Sequence, residues 1–245
     1  MSGGGRAAGL DFRLHLVQRA PVFRGLDPDS CREFVRLARD RRIVRRESFF
    51  LQGDPASDVF VLCAGRLKMT AVVPAGDEML LRLVVPGEAF GSLDVASGGV
   101  YPAAAEALEP SHALLWDRCA FETIAERQPV LLRNVIRILS ERMRVLEQAN
   151  RDLATVRVPQ RVAAALARLA VQIGRPTENG AVIALGREDL GQMTGTTAFT
   201  VSRLLADWEE RGYVESRREA VVVVDAPGLA RHVAADEARR LASNE

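Results

Sequence analysis

Leu185-Gly-Arg-Glu-Asp-Leu-Gly-Gln-Met-Thr-Gly-Thr-Thr-Ala-Phe-Thr-Val-Ser-Arg-Leu-Leu205 is the stretch on which the fold of this chain turns. Its spacing predicts a short helix over Arg187 to Met193, stopped at Thr194-Gly195, where glycine can adopt the left-handed backbone of a tight turn. Thr196 or Thr197 then caps a second helix, because a threonine hydroxyl accepts from the unpaired N–H groups of a first turn. Leu190, Val201, Leu204 and Leu205 fall on the inward side of the pair, while Thr197, Thr200, Ser202 and Arg203 fall near the leading end of the second helix. A helix pair joined this way, with a polar leading edge, reads as a helix-turn-helix whose second helix enters the major groove of DNA. Trp208-Glu-Glu-Arg-Gly-Tyr-Val214 follows, with a hairpin pattern over Tyr213 to Arg217 and Ala220 to Val224 that turns at Arg218-Glu219. The hairpin makes the motif a winged one and brings Arg217 and Arg218 to a tip that can reach phosphate.

Working upstream, Pro159 suits the first position of a helix over Gln160 to Gln172 and would break one that ran through it, so residues 155–158 read as a hinge. Before the hinge, Leu132, Leu139, Leu146 and Leu153 recur every seven residues, with Ile136, Met143 and Asn150 four residues after the first three. This is a heptad seam with leucine at d and Asn150 at an a position, a choice that fixes register and favours two parallel strands. A homodimer is therefore expected. Further upstream the period changes. Short β-rich runs (Ile43-Val44, Ser48 to Leu51, Val59 to Cys63, Leu67 to Val73, Met79 to Val85, Ala113 to Trp116) alternate with glycine and proline turns, the pattern of a barrel or jelly roll. Phe12 to Asp40 reads as helical, and Asp117 caps a helix that runs to Arg127. The expected class is α+β: a tail over 1–11, a β-roll sensor domain over 12–128, a dimerisation helix over 129–156, a winged helix-turn-helix domain over 157–235 and a second tail over 236–245.

Bulk composition narrows the function less than the motifs do. The 245 residues are 48% hydrophobic and 27% charged, with a net charge of only +1, so any DNA contact must come from a local patch rather than a global basic field. Cys31, Cys63 and Cys119 are scattered, without a Cys-x-x-Cys pair, which suggests reduced thiols; Cys63 reads as a strand-face residue. No apolar run approaches membrane-spanning length, since Val130 to Leu139 is broken by Arg133, Asn134 and Arg137, and Met1 to Gly9 does not read as a secretory signal. A cytoplasmic protein without a membrane partner is expected. Gly-Lys phosphate loops, serine-centred nucleophile elbows and His/Glu metal spacings are missing, so an enzyme is not expected; Glu122 and Glu126 read as a solvated helix face.

The order of β-roll, long helix, hinge and winged helix resembles the CRP/FNR family of bacterial transcription regulators. The matching residues are Gly53-Asp54, Gly65-Arg-Leu-Lys68, Pro86-Gly-Glu-Ala-Phe-Gly91, Ala103 to Ala107, Gln160-Arg-Val-Ala163, Thr194-Gly195 and Val201-Ser-Arg-Leu-Leu205. The resemblance implies a homodimer that binds a near-palindromic site on double-stranded DNA and acts on RNA polymerase. It places the base readers on Phe199, Ser202 and Arg203, with Thr196, Thr197 and Thr200 near the backbone. Phe199 departs from the family, which often has glutamate there; a phenyl ring packs on a thymine methyl but cannot accept from cytosine.

The resemblance also implies an effector pocket formed by Gly91, Ser92, Leu93, Tyr101, Pro102 and Ala103, with Arg142 and Met143 where the long helix passes it. Cyclic-nucleotide-binding members carry glutamate, arginine and a hydroxyl where this chain has Ser92, Tyr101 and Pro102, so classical cyclic AMP binding is not expected. The Tyr101-Pro-Ala103 segment is closer to the dissimilative nitrate respiration regulators, some of which sense nitric oxide through haem. The candidate axial ligands would be His15, His112, Cys63 and Cys119, none within a family motif; the clustered cysteines of iron–sulfur sensors are absent. Regulation by abundance alone, or a nucleotide-binding adaptor acting on a partner enzyme, are the remaining alternatives.

Overall fold

The computed structural model describes residues 4–72, 78–92 and 99–242. The chain divides into two compact units, Met1–Arg144 and Val145–Glu245. The sequence placed the boundary at residues 155–158, whereas the division falls within the long helix α4 (Pro129–Thr155).

In the first unit, two antiparallel sheets face each other. One has the order β1-β7-β2-β5 (Arg39–Ile43, Ser111–Asp117, Asp58–Ala64 and Ala89–Gly91); the other has the order β4-β3-β6 (Glu78–Val84, Leu67–Val72 and Ala104–Ala107). Phe49, Phe50, Phe60, Phe90 and Tyr101 fill one buried cluster with Leu62, Leu67 and Val84. A second cluster lies under the helices, where α1 (Gly4–Arg19), α2 (Pro28–Leu37), α3 (Arg118–Arg127) and the start of α4 surround Phe23, Phe34, Trp116 and Phe121. The Trp116 indole there donates to the Phe34 carbonyl at 2.8 Å, so a large ring is buried without an unpaired N–H. Buried Asn134 donates to the carbonyls of Val22 (3.0 Å) and Arg24 (2.7 Å), pinning the start of α4 to its own unit.

The second unit holds α5 (Val158–Gln172), α6 (Arg187–Thr194), α7 (Ala198–Glu210), α8 (Ala226–Ala242) and a four-stranded sheet in the order β10 (Val214–Arg217), β11 (Ala220–Val223), β9 (Gly180–Ile183), β8 (Arg175–Thr177). Strands β10 (Val214–Arg217) and β11 (Ala220–Val223) form the expected hairpin, with Arg217 opposite Ala220.

Several elements differ from the sequence reading. α1 begins at Gly4, inside the stretch read as a tail, and α8 continues to Ala242 through the stretch read as the second tail. The first stretch is rich in glycine, a poor helix former, and the second, although it holds good helix formers such as Ala238, Arg239 and Arg240, carries no apolar period to reveal it. Ser48 to Leu51 is not a strand: Ser48 makes an isolated bridge to Glu106, while Phe49 and Phe50 plug the core. Pro159 sits one place later than expected, because Arg157 is the cap and Val158 the first helical residue. Strands β8 (Arg175–Thr177) and β9 (Gly180–Ile183) were missed, although Asn179-Gly180 is a hairpin signal; Gly180 has φ of +139°.

Candidate DNA-binding and sensor sites

Gly195 ends α6 in the left-handed conformation (φ +61°, ψ +45°), and the Thr196 N–H reaches back to the Gly191 carbonyl at 2.9 Å. That closes the turn and frees the chain to start α7. Thr197 is the cap: its hydroxyl accepts from the Thr200 N–H at 3.2 Å and lies 3.1 Å from the Thr200 hydroxyl. Val201, Leu205 and Trp208 are buried on the inner face of α7, so rotation about the helix axis is fixed. The opposite face then presents Phe199 (79% exposed), with Thr197 and Arg203 also exposed; Thr196, Thr200 and Ser202 are half-buried. The Ser202 hydroxyl donates to the Ala198 carbonyl at 2.8 Å, which leaves it an acceptor toward solvent.

The residue four places after Arg203 is Asp207, the obvious competitor for its charge. Asp207 is instead engaged by Arg211 at 3.1 Å, and Arg203 makes no ion pair among the described residues. A solvent-facing guanidinium with no internal partner keeps all its donors for a ligand. Arg203 lines a groove of about 620 Å³ with Arg157, Asp207, Arg211, Asp236 and Glu237; Arg157 meets Glu237 at 2.9 Å.

Arg217 and Arg218 are exposed at the wing, as the hairpin pattern implied. One residue that sequence reasoning missed organises this tip. Arg187, first in α6, donates to the carbonyls of Arg217 (2.9 Å) and Arg218 (3.4 Å) and to the Ser216 hydroxyl (2.5 Å). The wing is thereby tied to the helix-turn-helix. A charged residue opening a short helix gives no sequence signal for a partner thirty residues away.

A second missed residue is Arg161. Its guanidinium donates to Thr194 O (2.8 Å), Gly195 O (3.2 Å) and Val156 O (2.5 Å), joining the turn between the two helices to the chain just after α4. A Cβ on Gly195 would collide with Cδ2 of Leu153, so the last turn of α4 packs on the same turn. Gly195→Val adds that collision to a left-handed backbone that a β-branched residue resists. It is expected to cost about 1–3 kcal/mol, read as a lower midpoint in thermal or urea unfolding.

The apolar seam residues of α4 face solvent in the single chain: Leu132 is 40% exposed, Ile136 63%, Leu139 43%, Met143 63%, Leu146 64% and Leu153 50%, with Asn150 also exposed. Contiguous apolar exposure of this extent marks an interaction surface. Leu153, half exposed, also packs on Gly195.

In the first unit, Gly91 (φ +86°) lies against the Asp58 carbonyl and the Phe60 ring, leaving no room for a Cβ. The Ser92 N–H donates to Asp58 O at 3.0 Å. Tyr101, expected to line a pocket, is a core residue: it is 3% exposed, stacks on Phe50 at 3.8 Å, and its hydroxyl bonds both the N–H (3.0 Å) and the carbonyl (3.1 Å) of Asp58. Ala103 is also buried, whereas Pro102 and Met143 are exposed. Leu93 lies outside the described residues. Arg142 reaches from α4 to the Ala89 carbonyl at 2.6 Å, next to Phe90-Gly91-Ser92.

The four residues weighed as haem ligands lie on different elements, and none of them lines the segment around Gly91 and Ser92. The His112 ring is 2.8 Å from Asp40 Oδ1, and its pKa is lowered by burial and by Arg42 and Arg13. The Cys63 thiol is buried and pushed up to about 11 by loss of water, which disfavours the thiolate a metal needs. His15 is exposed on α1 beside Arg19, and Cys119 is exposed on α3. The residues present do not fit an axial haem site, and no step below runs through haem. Among the described residues no group of three or more His, Cys, Asp and Glu is placed to hold a metal, and no helix is long and apolar enough to cross a membrane.

Residues 40–128 match the cyclic nucleotide-binding domain, and residues 160–232 match the Crp-like helix-turn-helix domain. The chain is a CRP/FNR-family transcription regulator. It is 27% identical over 220 residues to the CRP-like cAMP-activated global transcriptional regulator of Mycobacterium tuberculosis, covering 88% of this chain and 97% of that one. It is 27% identical over 201 residues to the transcriptional activator protein anr of Pseudomonas aeruginosa, covering 81% of each. Among solved structures, a CRP-family transcriptional regulator from Thermus thermophilus superposes with a TM-score of 0.67 at 26% identity, over 78% of this chain and 95% of that one. DNA binding by this CRP/FNR regulator thus belongs to the domain over residues 160–232, which holds α6 and α7.

Proposed function

We propose that two copies join along the exposed stripe of α4 and set their α7 helices into successive major grooves of a near-palindromic site. The observation that carries this reading is the two-faced α7: Val201, Leu205 and Trp208 buried on one side, Phe199 and Arg203 held out behind a capped turn on the other. In each half-site Arg203 takes a guanine through O6 and N7, Phe199 packs on a thymine methyl, and Thr196, Thr197, Thr200 and Ser202 settle the backbone. The protein works in the cytoplasm without catalysing a reaction, and the bound dimer acts through RNA polymerase, as the resemblance implies.

Cyclic AMP, the input in the name of the Mycobacterium relative, is not carried over. The place of the family's phosphate-binding arginine is taken by Tyr101, whose hydroxyl is spent on the Asp58 backbone. The Tyr101-Pro-Ala103 segment supports a place near the nitrate respiration regulators.

The test is selection from a random duplex library, followed by titration at several salt concentrations. A two-fold symmetric motif with guanine at a fixed place in each half is the expected result; binding indifferent to sequence overturns the reading. Alanine at both Arg217 and Arg218 is expected to weaken all duplexes alike and to lower the salt slope by about 2 per chain. A changed base preference in that variant would mean the wing reads bases.

A further inference from the structure

The second half of α8 lies in the stretch read from sequence as a tail, yet its side chains reach toward α7. Asp225 opens the helix by accepting from the Gly228 N–H at 2.8 Å, and Leu229 and Val233 are buried. Gly228 lets α8 start close against Tyr213, since a Cβ there would collide with the Asp225 carboxylate and crowd the Tyr213 ring. One turn on, the His232 ring lies against the same tyrosine, with centroids 5.4 Å apart. The His232 side chain is only 10% exposed. Its Nε2 is buried and completes no hydrogen bond among the described residues, although carboxylate oxygens of Asp236 and Asp207 stand 3.3 Å and 3.8 Å from it. A buried polar atom left in that position is costly and calls for a reason.

Asp207 supplies one. It stands one turn after Arg203 on α7, the spacing at which opposite charges pair along a helix, and both line the same groove. Left to itself, Asp207 would pair with Arg203 and occupy donors that a base needs. Here Asp207 Oδ1 accepts instead from Arg211 Nε at 3.1 Å, and Oδ2 is the oxygen near His232. The other two carboxylates of the groove are engaged away from Arg203 as well: Asp236 lies between His232 and Arg239 (3.6 Å), and Glu237 meets Arg157 at 2.9 Å. Three acidic groups thus border the groove, and each has a cationic or imidazole neighbour other than Arg203.

We infer that His232, together with Arg211, is a positioning residue for DNA reading: it holds Asp207 away from Arg203, so that α8 keeps the guanidinium uncommitted. With its proton on Nε2, the tautomer that two neighbouring carboxylates favour, the ring donates toward Asp207 and Asp236 together. The inference rests on the reading of Arg203 as a base reader and adds α8 to the elements that set how sharply it reads. Exposed pairs one helical turn apart are weak, so the effect is a modest factor in each half-site, counted twice in a dimer.

The test uses the full chain as wild type, His232→Leu, Arg211→Met, each of these two combined with Asp207→Asn, and His232→Gln, which keeps an N–H donor. Affinity is measured for the selected duplex and for one with the guanine assigned to Arg203 replaced in both halves. The ratio of the two cancels charge effects that are blind to sequence. His232→Leu and Arg211→Met should each lower that ratio about threefold to tenfold, His232→Gln less, and Asp207→Asn should restore it in both. In the DNA-free protein, NMR of labelled arginine should show the Arg203 Nε–H exchanging with solvent more slowly in His232→Leu than in the wild type. Adding Asp207→Asn should return it to the wild-type rate. Arg211 is exposed, so Arg211→Met reports even where His232→Leu fails to fold. A loss that Asp207→Asn does not restore makes His232 a packing residue and overturns the inference, as does an unchanged ratio and exchange rate in both single variants. A wild type indifferent to the replaced guanine counts against the reading of Arg203, and the exchange measurement then decides the role of His232 by itself.

Discussion

Lysine at both Leu139 and Leu146 is expected to leave the chain monomeric at micromolar concentration and to abolish tight binding to a symmetric duplex. The two residues are 43% and 64% exposed in the single chain, so about half of their surface is left for a second copy to cover. At roughly 25 cal/mol per Å², each leucine contributes about 1 kcal/mol in the seam, and a dimer holds both twice. Adding four like charges brings the loss to about 4–6 kcal/mol, or roughly three to four orders of magnitude in the dimer constant. Light scattering after size exclusion reads the mass directly. A dimer that persists would move the interface elsewhere, whereas a monomer that keeps wild-type affinity for a symmetric site would break the link between seam and groove.

Arg203→Ala is expected to erase selectivity at one base position in each half-site while leaving the fold intact, because Arg203 is exposed and pairs with nothing among the described residues. A bidentate arginine–guanine pair is worth about 1–3 kcal/mol, so the symmetric complex loses about 2–6 kcal/mol against its preferred site and much less against random duplex. Library selection with the variant should flatten the preference at that position alone. A uniform loss over all sequences would reassign Arg203 to phosphate.

The winged domain could be read closely from its sequence because its signals are local. Gly195, the Thr197 cap and the Arg218-Glu219 turn each constrain the residues beside them, and all three stand where the spacing put them. The heptad of α4 was legible for the same reason, as a period carried on one continuous helix. The first unit was harder. Its short strands β5 and β6, of three and four residues, carry no alternation long enough to see. Tyr101 was misjudged because its partners, the Phe50 ring and the Asp58 backbone, lie 51 and 43 residues away, a pairing that only the folded roll creates. Arg161 and Arg187 share that difficulty. Each acts on carbonyls supplied by another element, and an arginine in sequence looks alike whether it is solvated or pinned.

The Arg161 contacts bear on how a signal could reach the DNA. Residues 155–158 invite the picture of a swivel, yet the Val156 carbonyl is gripped by the guanidinium that also grips the Thr194 and Gly195 carbonyls, and Leu153 rests on that same glycine. Such a joint transmits without backlash. A twist applied to the last turn of α4 is therefore passed to α6 and α7 by the same angle, and a few degrees there would change the pitch at which α7 meets a double helix.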